Sequence, residues 1–537
     1  MGTDTDTDTG RPVTSRRREV SVNRRIQPAF GRLPLCRGRC LLPSVIGMLG
    51  AVSTLAHAQE GRGFTLESSV GIRETLTSNV RMQSTDARSD LITDISPRVR
   101  LNSNSGRLKG SFDYSLHGLI YARESSSNEV QHALRAQGAY EAVDNWAFVE
   151  GSASVSQQST SAFGTRSSDS ALIDSNRSEV FTYQLAPYVR GRLGGFANYE
   201  ARWSWVSTSS QSSNSDSTSQ TTSLLLSSDS STFSRLGWSA AYSRQTSEFG
   251  SRGSRKNDRL NGTLFYTVIP EVRLSARAGR ESNDLAGVGT EQYDTWGWGG
   301  TWTPTQRTRL EATRDHRFFG NAYNVRFEHR TPRTVWSFAT GQDVNVTPLT
   351  AGAASPLTVF DLLFAQFASI APDPVQRAAL VDAFLLNNGL TRATLANGGL
   401  LTSTASVSRR KNLSVALLSL RTTLLFSAFR SESRAVDTTV TDAGDLSNGN
   451  TVDQRGFSVN LSHRLTPKQA LSADFSQSKS SGSVDRRSTD LRSFTATWTN
   501  RWSPFVDLTL SARRSLFGSS INPYNESALI ASVRVKF

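Results

Sequence analysis

Leu108-Lys109-Gly110-Ser111-Phe112-Asp113-Tyr114-Ser115-Leu116-His117-Gly118-Leu119-Ile120 alternates almost throughout between apolar or small residues and polar ones. Leu108, Gly110, Phe112, Tyr114, Leu116, Gly118 and Ile120 fall on one face. Lys109, Ser111, Asp113, Ser115 and His117 fall on the other. Period two is the signature of a β-strand with one face in an apolar medium and the other in water. Near the other end of the chain, Val506, Leu508, Leu510 and Ala512 alternate with Asp507, Thr509, Ser511 and Arg513 in the same way. A soluble sandwich would stop after about seven to nine such strands. Here the pattern continues without a domain break.

Turns punctuate it at regular intervals. Ile269-Pro270, Thr303-Pro304, Thr331-Pro332, Thr466-Pro467 and Ser503-Pro504 each close one strand and open the next. Proline fixes φ and lacks a donor, so it belongs at a turn and not inside a ladder. Asn104-Ser105-Gly106, Asp144-Asn145 and Gly194-Gly195 are equivalent tight turns earlier in the chain. Longer polar stretches at 207–220, 246–257 and 437–453 occupy alternate connections. Short turns alternating with long loops predict a large antiparallel transmembrane β-barrel of about 22 strands, its short turns in the periplasm. The fold class is therefore all-β. No stretch of about 18 apolar residues is present to serve as an internal membrane helix.

The first 58 residues read differently. Nine arginines from Arg11 to Arg39 precede an apolar run at 41–55 and then Ala56-His57-Ala58. This is the order of an export leader, with cleavage expected between Ala58 and Gln59. The two cysteines, Cys36 and Cys40, both lie in it, so the exported chain would contain no thiol. Of the net charge of +14, the leader's nine arginines and four acids contribute +5, leaving +9 beyond it. Most of the remaining basic residues stand apart along strands, with no long basic run, which argues against nucleic acid as a partner. Outer-membrane lipids, lipopolysaccharide or an anionic polymer fit better.

The barrel is expected over 59–345 and 403–537, interrupted at 346–402. There Phe360, Leu363, Phe364 and Phe367 recur at helical spacing. Asp373-Pro374 then reads as a cap and first turn, and Leu380, Val381, Phe384 and Leu385 lead to Asn388-Gly389. A helical hairpin is expected, as an extracellular loop or a plug that restricts the lumen. The last strand alternates Leu529, Ala531, Val533 and Val535 with Ile530, Ser532, Arg534 and Lys536 and ends in Phe537. An aromatic end of this kind is what barrel-assembly machinery would bind.

Alternation also sorts the charges. Arg202, Arg273, Arg277, Arg307, Arg309, Arg513 and Arg534 are expected to line the lumen, with Glu200, Glu311, Asp474 and Asp507 among them. A charge facing lipid at mid-depth would cost roughly 2 to 4 kcal/mol. They would form either an electropositive path or a network that fills the lumen. His117, His132, His316, His329 and His463 show no metal-ligand spacing, and no G-x-S-x-G elbow accompanies them. No catalytic, cofactor or metal residues are assigned. Gly297-Trp298-Gly299-Gly300 reads as close packing in the barrel wall.

Glu74-Thr75-Leu76-Thr77-Ser78-Asn79-Val80, Ser89-Asp90-Leu91-Ile92-Thr93 and Ile95-Ser96-Pro97 together resemble the opening of a known family, the outer-membrane proteins associated with PEP-CTERM and exosortase exopolysaccharide systems. The proline turns and the Asp373-Pro374 insertion are similar to that family too. Ser78 stands where the family tends to have aspartate, and a structural role at the first strand is expected for the motif. The resemblance implies a place beside machinery for exopolysaccharide assembly and export. A porin-like conduit or guide for an extracellular polysaccharide is the expected function. The alternatives are a structural or surface-anchoring barrel with a closed lumen and, further off, an outer-membrane hydrolase.

Overall fold

The computed structural model describes residues 63–537 apart from 212–215, 230–231, 251–252, 288, 347–403, 438–443 and 485; within 347–403 only Phe364, Arg377 and Val381 are described. The leader and its cleavage site lie outside the described residues. So does most of the 346–402 insertion, although Phe364, Arg377 and Val381 are each helical and Arg377 stacks over the Phe364 ring at 4.7 Å.

Twenty-two antiparallel strands follow one another in chain order. The first are β1 (Phe64–Thr77), β2 (Asp90–Asn104), β3 (Leu108–Tyr121), β4 (Glu129–Val143), β5 (Ala147–Ser159) and β6 (Arg177–Leu193). Next come β7 (Ala197–Ser210), β8 (Ser217–Ser228), β9 (Leu236–Phe249), β10 (Ser254–Ile269), β11 (Val272–Asn283) and β12 (Glu291–Thr305). Then follow β13 (Thr308–Arg317), β14 (Gly320–Arg330), β15 (Thr334–Asn345), β16 (Ser406–Leu418) and β17 (Thr422–Ala435). The last are β18 (Thr451–Thr466), β19 (Gln469–Gly482), β20 (Ser488–Arg501), β21 (Val506–Ser519) and β22 (Tyr524–Lys536). Each pairs with its sequence neighbours, and β22 pairs back onto β1 from Ser69↔Lys536 to Thr77↔Ala528. The barrel is closed, so no strand edge is left unpaired.

The two faces differ as the alternation requires. Ile72, Leu264, Leu510 and Leu529 are exposed on the outside, with Trp296 at 60% and Trp298 at 56%. Registers such as Ile72↔Val533, Leu510↔Ala531 and Ala276↔Trp298 keep these residues on one face from strand to strand. An apolar surface this continuous would aggregate in water. Every strand's backbone is paired within the closed ring, which is the condition for standing in lipid. The chain is a β-barrel of the bacterial outer membrane.

Connections at one end are short. They include 105–107, 144–146, 194–196, 270–271, 306–307, 331–333, 419–421 and 467–468. Asn145 and Gly194 adopt left-handed φ of +57° and +59°, which tight turns demand. Pro270, Pro332, Pro467 and Pro504 lie in these turns as expected, while Pro304 falls inside the last residues of β12, where the register shifts. The opposite end carries the longer loops, among them 160–176 and 436–450.

Two expected loops are shorter than their composition suggests. β7 and β8 run to within 211–216, and β9 and β10 to within 250–253. The Ser- and Thr-rich ends continue as strand because their inward hydroxyls bond one another: Ser219 meets Ser247 at 3.0 Å and Ser178 meets Ser210 at 2.7 Å. Serine and threonine mark loops only when nothing beside them accepts a hydrogen bond.

Candidate functional site

The lumen-facing residues are those opposite in parity to the exposed apolar set. Arg202, Arg273, Arg277, Arg309, Arg513 and Arg534 all have that parity. Arg307 does not qualify, because it lies in the two-residue turn between β12 and β13 where strand alternation has no meaning.

Most of these cations are held. Arg202 reaches Glu150 at 2.6 Å and Glu200 at 3.0 Å, and its guanidinium lies 4.0 Å over the Tyr188 ring. Tyr188 in turn stacks on Phe148, and Arg190 covers Phe148 at 4.4 Å. Arg273 stacks on Phe265 at 4.2 Å. Arg309 pairs with Glu311, and Asp474 accepts from Asn460. Arg534 stands opposite Asp507, whose carboxylate pairs with Lys536 at 2.7 Å.

Arg277 and Asp315 show why a glycine stands in the wall. They flank Gly297 from the two adjacent strands, and their side chains meet across it at 2.6 Å. A Cβ on Gly297 would sit 2.5 Å from the Arg314 carbonyl and collide with the Asp315 carboxylate. The wall is thinned there so that the ion pair can close.

The feature that alternation cannot show is the 160–176 loop between β5 and β6. Every wall residue it bonds has lumen parity. Asp169 takes hydrogen bonds from Arg73 of β1 and Arg513 of β21 on the same carboxylate oxygen. Ser168 meets Ser515 at 2.7 Å, the Tyr524 hydroxyl donates to the Arg166 carbonyl, and the Tyr121 hydroxyl donates to the Ala171 carbonyl at 2.9 Å. Arg166 reaches Ser480 of β19 at 3.4 Å, and Gln131 of β4 donates to the Ser170 carbonyl at 2.9 Å. The loop therefore lies inside the barrel.

Apolar contacts fix both of its ends. Ala171 and Leu172 are buried with Val80, Met82, Ile92, Leu119, Tyr121, Phe517 and Tyr524. Ala162 and Phe163 pack with Ala435, Leu446 and Val452, where Asp445 accepts from the Ala162 N–H and the Ser161 hydroxyl. Two loops from different parts of the wall meet here. Burial disfavours charge on Asp169, but Arg73, Arg513 and the Ala171 N–H outweigh it and hold the carboxyl well below the usual range. Burial pushes the Asp174 carboxyl up and the Arg166 guanidinium down.

Behind Asp169 the network continues into the seam that closes the barrel. Arg513 also grips Glu526 at 2.8 Å, and Glu526, fully buried, accepts from the Thr77 hydroxyl at 2.9 Å. Ser78 and Ser527 exchange hydrogen bonds across the same seam, and Asn79 donates to the Asn525 carbonyl at 3.1 Å. The segment from Glu74 to Val80 thus joins the first strand to the last. It is structural.

His117 has a suggestive setting, with Ser115 Oγ 3.2 Å from Nε2 and Asp94 3.1 Å from Nδ1. The order is that of a hydrolytic triad. An oxyanion hole is lacking from this setting, because backbone N–H groups of strands point along the sheet and not into the lumen. The guanidinium of Arg98, opposite Ser115, is engaged by Asp113. Among the described residues no group of three or more His, Cys, Asp or Glu is placed to hold a metal.

No protein-family profile matches this sequence, and no curated protein matches it. Among solved structures it is similar to the FrpB iron transporter from Neisseria meningitidis (F5-1 variant), with a TM-score of 0.47 and 11% identity over 89% of this chain and 83% of that one. It is similar to a mutant ferric enterobactin receptor PfeA from Pseudomonas aeruginosa, with a TM-score of 0.43 and 10% identity over 88% and 80% of the two chains. The outer membrane protein opdK from Pseudomonas aeruginosa is similar at a TM-score of 0.32 and 9% identity, over 88% of this chain and 99% of that one.

Proposed function

We propose that this barrel is a porin-like conduit for an acidic, hydrophilic chain, with an extracellular polysaccharide as the substrate class, and that the 160–176 loop sets its bore. One observation carries the reading. The loop braces itself on β1, β3, β4 and β19 to β22, the β20 contact being the Thr489 hydroxyl donating to the Ala162 carbonyl at 3.3 Å, whereas Arg202, Arg273, Arg277 and Arg309 stand on β7, β11 and β13. The sector that the loop's bonds leave aside keeps these four cations clear of it, while Arg73 and Arg513 on the braced side are taken up by Asp169. Two of the four lie on aromatic rings, Arg202 on Tyr188 and Arg273 on Phe265. Rings flanked by charged hydrogen-bonding groups suit sugar units carrying carboxylates. The resemblance of the first strand to exopolysaccharide-associated barrels points to the same substrate class. No hydrolytic step belongs to this reading.

A structural barrel with a closed lumen is the second reading, favoured by the carboxylate partners of Arg202, Arg277 and Arg309. Planar-bilayer recording of the purified barrel separates the two. The conduit reading expects stable channels with anion preference that an acidic oligosaccharide blocks from one side. A barrel that never opens a steady channel, or one indifferent to the oligosaccharide, would overturn it.

A further inference from the structure

The outer wall carries a charge pattern that lumen function does not explain. Lys411 of β16, Arg430 of β17, Arg455 of β18 and Lys479 of β19 are direct cross-strand partners in one unbroken row. All four have the parity of the exposed apolar residues, so they face outward. Neighbouring strands lie roughly 4.8 Å apart, which places four cations within about 15 Å. Like charges directly opposed across a sheet are destabilising.

Internal neutralisation is incomplete. Arg430 pairs with Glu432 at 2.8 Å and Asp453 at 2.7 Å, and Lys479 shares Asp490 with Arg492. Among the described residues no carboxylate lies within ion-pair distance of Lys411 or Arg455, and both are exposed. The other side of the barrel is built differently. There Arg244 opposes Asp258 and Arg280 opposes Asp294, each as a closed pair at 2.8 and 3.1 Å. Sign alternates on β9 to β12 and repeats on β16 to β19.

Height on the wall supplies the partner. Leu413, Ala428 and Phe457 lie on the same outward face, two residues toward the periplasm from Lys411, Arg430 and Arg455. At about 3.4 Å per residue the cations stand some 7 Å above the start of the apolar band. The row is at the long-loop end, the extracellular side. That is the level of the headgroups in the outer leaflet, where the anionic groups are the phosphates of lipid A.

We propose that the row Lys411, Arg430, Arg455 and Lys479 is a binding ledge for the phosphates of lipid A, the anchor of lipopolysaccharide. The phosphates would supply the negative charge that the ladder lacks, with the acyl chains continuing down over Leu413, Ala428 and Phe457.

The test uses the purified full barrel in detergent, titrated with bis-phosphorylated lipid A and with its dephosphorylated form. The parent should hold the phosphorylated lipid at least about tenfold more tightly, and Lys411→Gln with Arg455→Gln should remove at least about tenfold of that affinity, since each surface cation contributes severalfold to anionic-lipid binding. Arg244→Gln, on the paired side, should change nothing. Inorganic phosphate at equal concentration should not compete, because it lacks the acyl chains; full competition would mean a simple phosphate site and would overturn the lipid assignment. Equal binding of the two lipid forms by the parent would overturn it as well. That comparison needs no variant to fold.

Discussion

Asp169 and Arg513 stand 344 positions apart in the chain and meet inside the barrel, one carboxylate oxygen against one guanidinium nitrogen. Arg73 joins the same oxygen from β1. A loop from between β5 and β6 is thus tied to the strands that flank the closing seam. Closure of the barrel and narrowing of its mouth share one electrostatic knot.

Asp169→Asn should release the centre of the loop while leaving the barrel assembled. A buried cation that loses its partner costs about 3 kcal/mol or more. Arg513 keeps Glu526, so the loss should fall on the loop and not on the seam. Single-channel conductance should rise, with heat-modifiable mobility on a gel unchanged. Unaltered conductance would mean that the loop does not limit the bore.

The pH dependence of that anchor has a definite sign. The Asp169 carboxyl is held below its ordinary value, so its contribution is complete above the unfolded carboxylate pKa of about 3.9. It is lost as pH falls through the depressed folded value. The difference in conductance between the parent and Asp169→Asn should therefore stay constant from pH 8 down to about pH 4 and shrink only below it. Shrinkage already at pH 6 would show that Asp169 is not held low by its two arginines.

Gly297→Ala should break the Arg277–Asp315 pair from behind. The added methyl meets the Arg314 carbonyl and the Asp315 carboxylate, and overpacking of this kind costs typically 1 to 3 kcal/mol, or roughly that much less resistance to thermal unfolding. Removing both charges with Arg277→Met and Asp315→Leu should cost less than the glycine change alone. A neutral Gly297→Ala would show that the wall yields there.

Deletion of Phe537 should reduce the assembled fraction of the protein. Its N–H donates to the Ser68 carbonyl at 2.9 Å, and its ring is exposed on the lipid side at the end of the seam. Pulse-labelled precursor should be unchanged while the heat-modifiable form falls. Equal assembly with and without the residue would show that its bond to Ser68 and its exposed ring add nothing to closure of the seam.

The wall was legible in the sequence because a period of two is a local property. Leu108 to Ile120 and Val506 to Arg513 each declare their faces within a few residues, and the turn prolines separate one strand from the next. The lumen charges followed from the same rule, and Arg307 failed it because a turn has no faces. The loop at 160–176 was not legible. Its apolar residues, Ala162, Phe163, Ala171, Leu172 and Ile173, are few and show no period, and its partners on strands other than the flanking β5 and β6 lie from 39 to 358 positions away. Asp169 looks like any loop aspartate until Arg73 and Arg513 are brought beside it. The hydroxyl-rich ends of β7 to β10 misled for a related reason, since their partners lie on neighbouring strands.

A disulfide trap tests the central claim most directly. Ser168 of the loop and Ser515 of β21 have hydroxyls 2.7 Å apart, and beyond residue 58 the chain has no cysteine to interfere. In the double variant Ser168→Cys and Ser515→Cys, mild oxidation of intact outer membranes should link the two thiols in nearly all molecules, with the channel still narrow. Two free thiols that both react with a bulky external maleimide would place the loop outside the lumen and contradict the account.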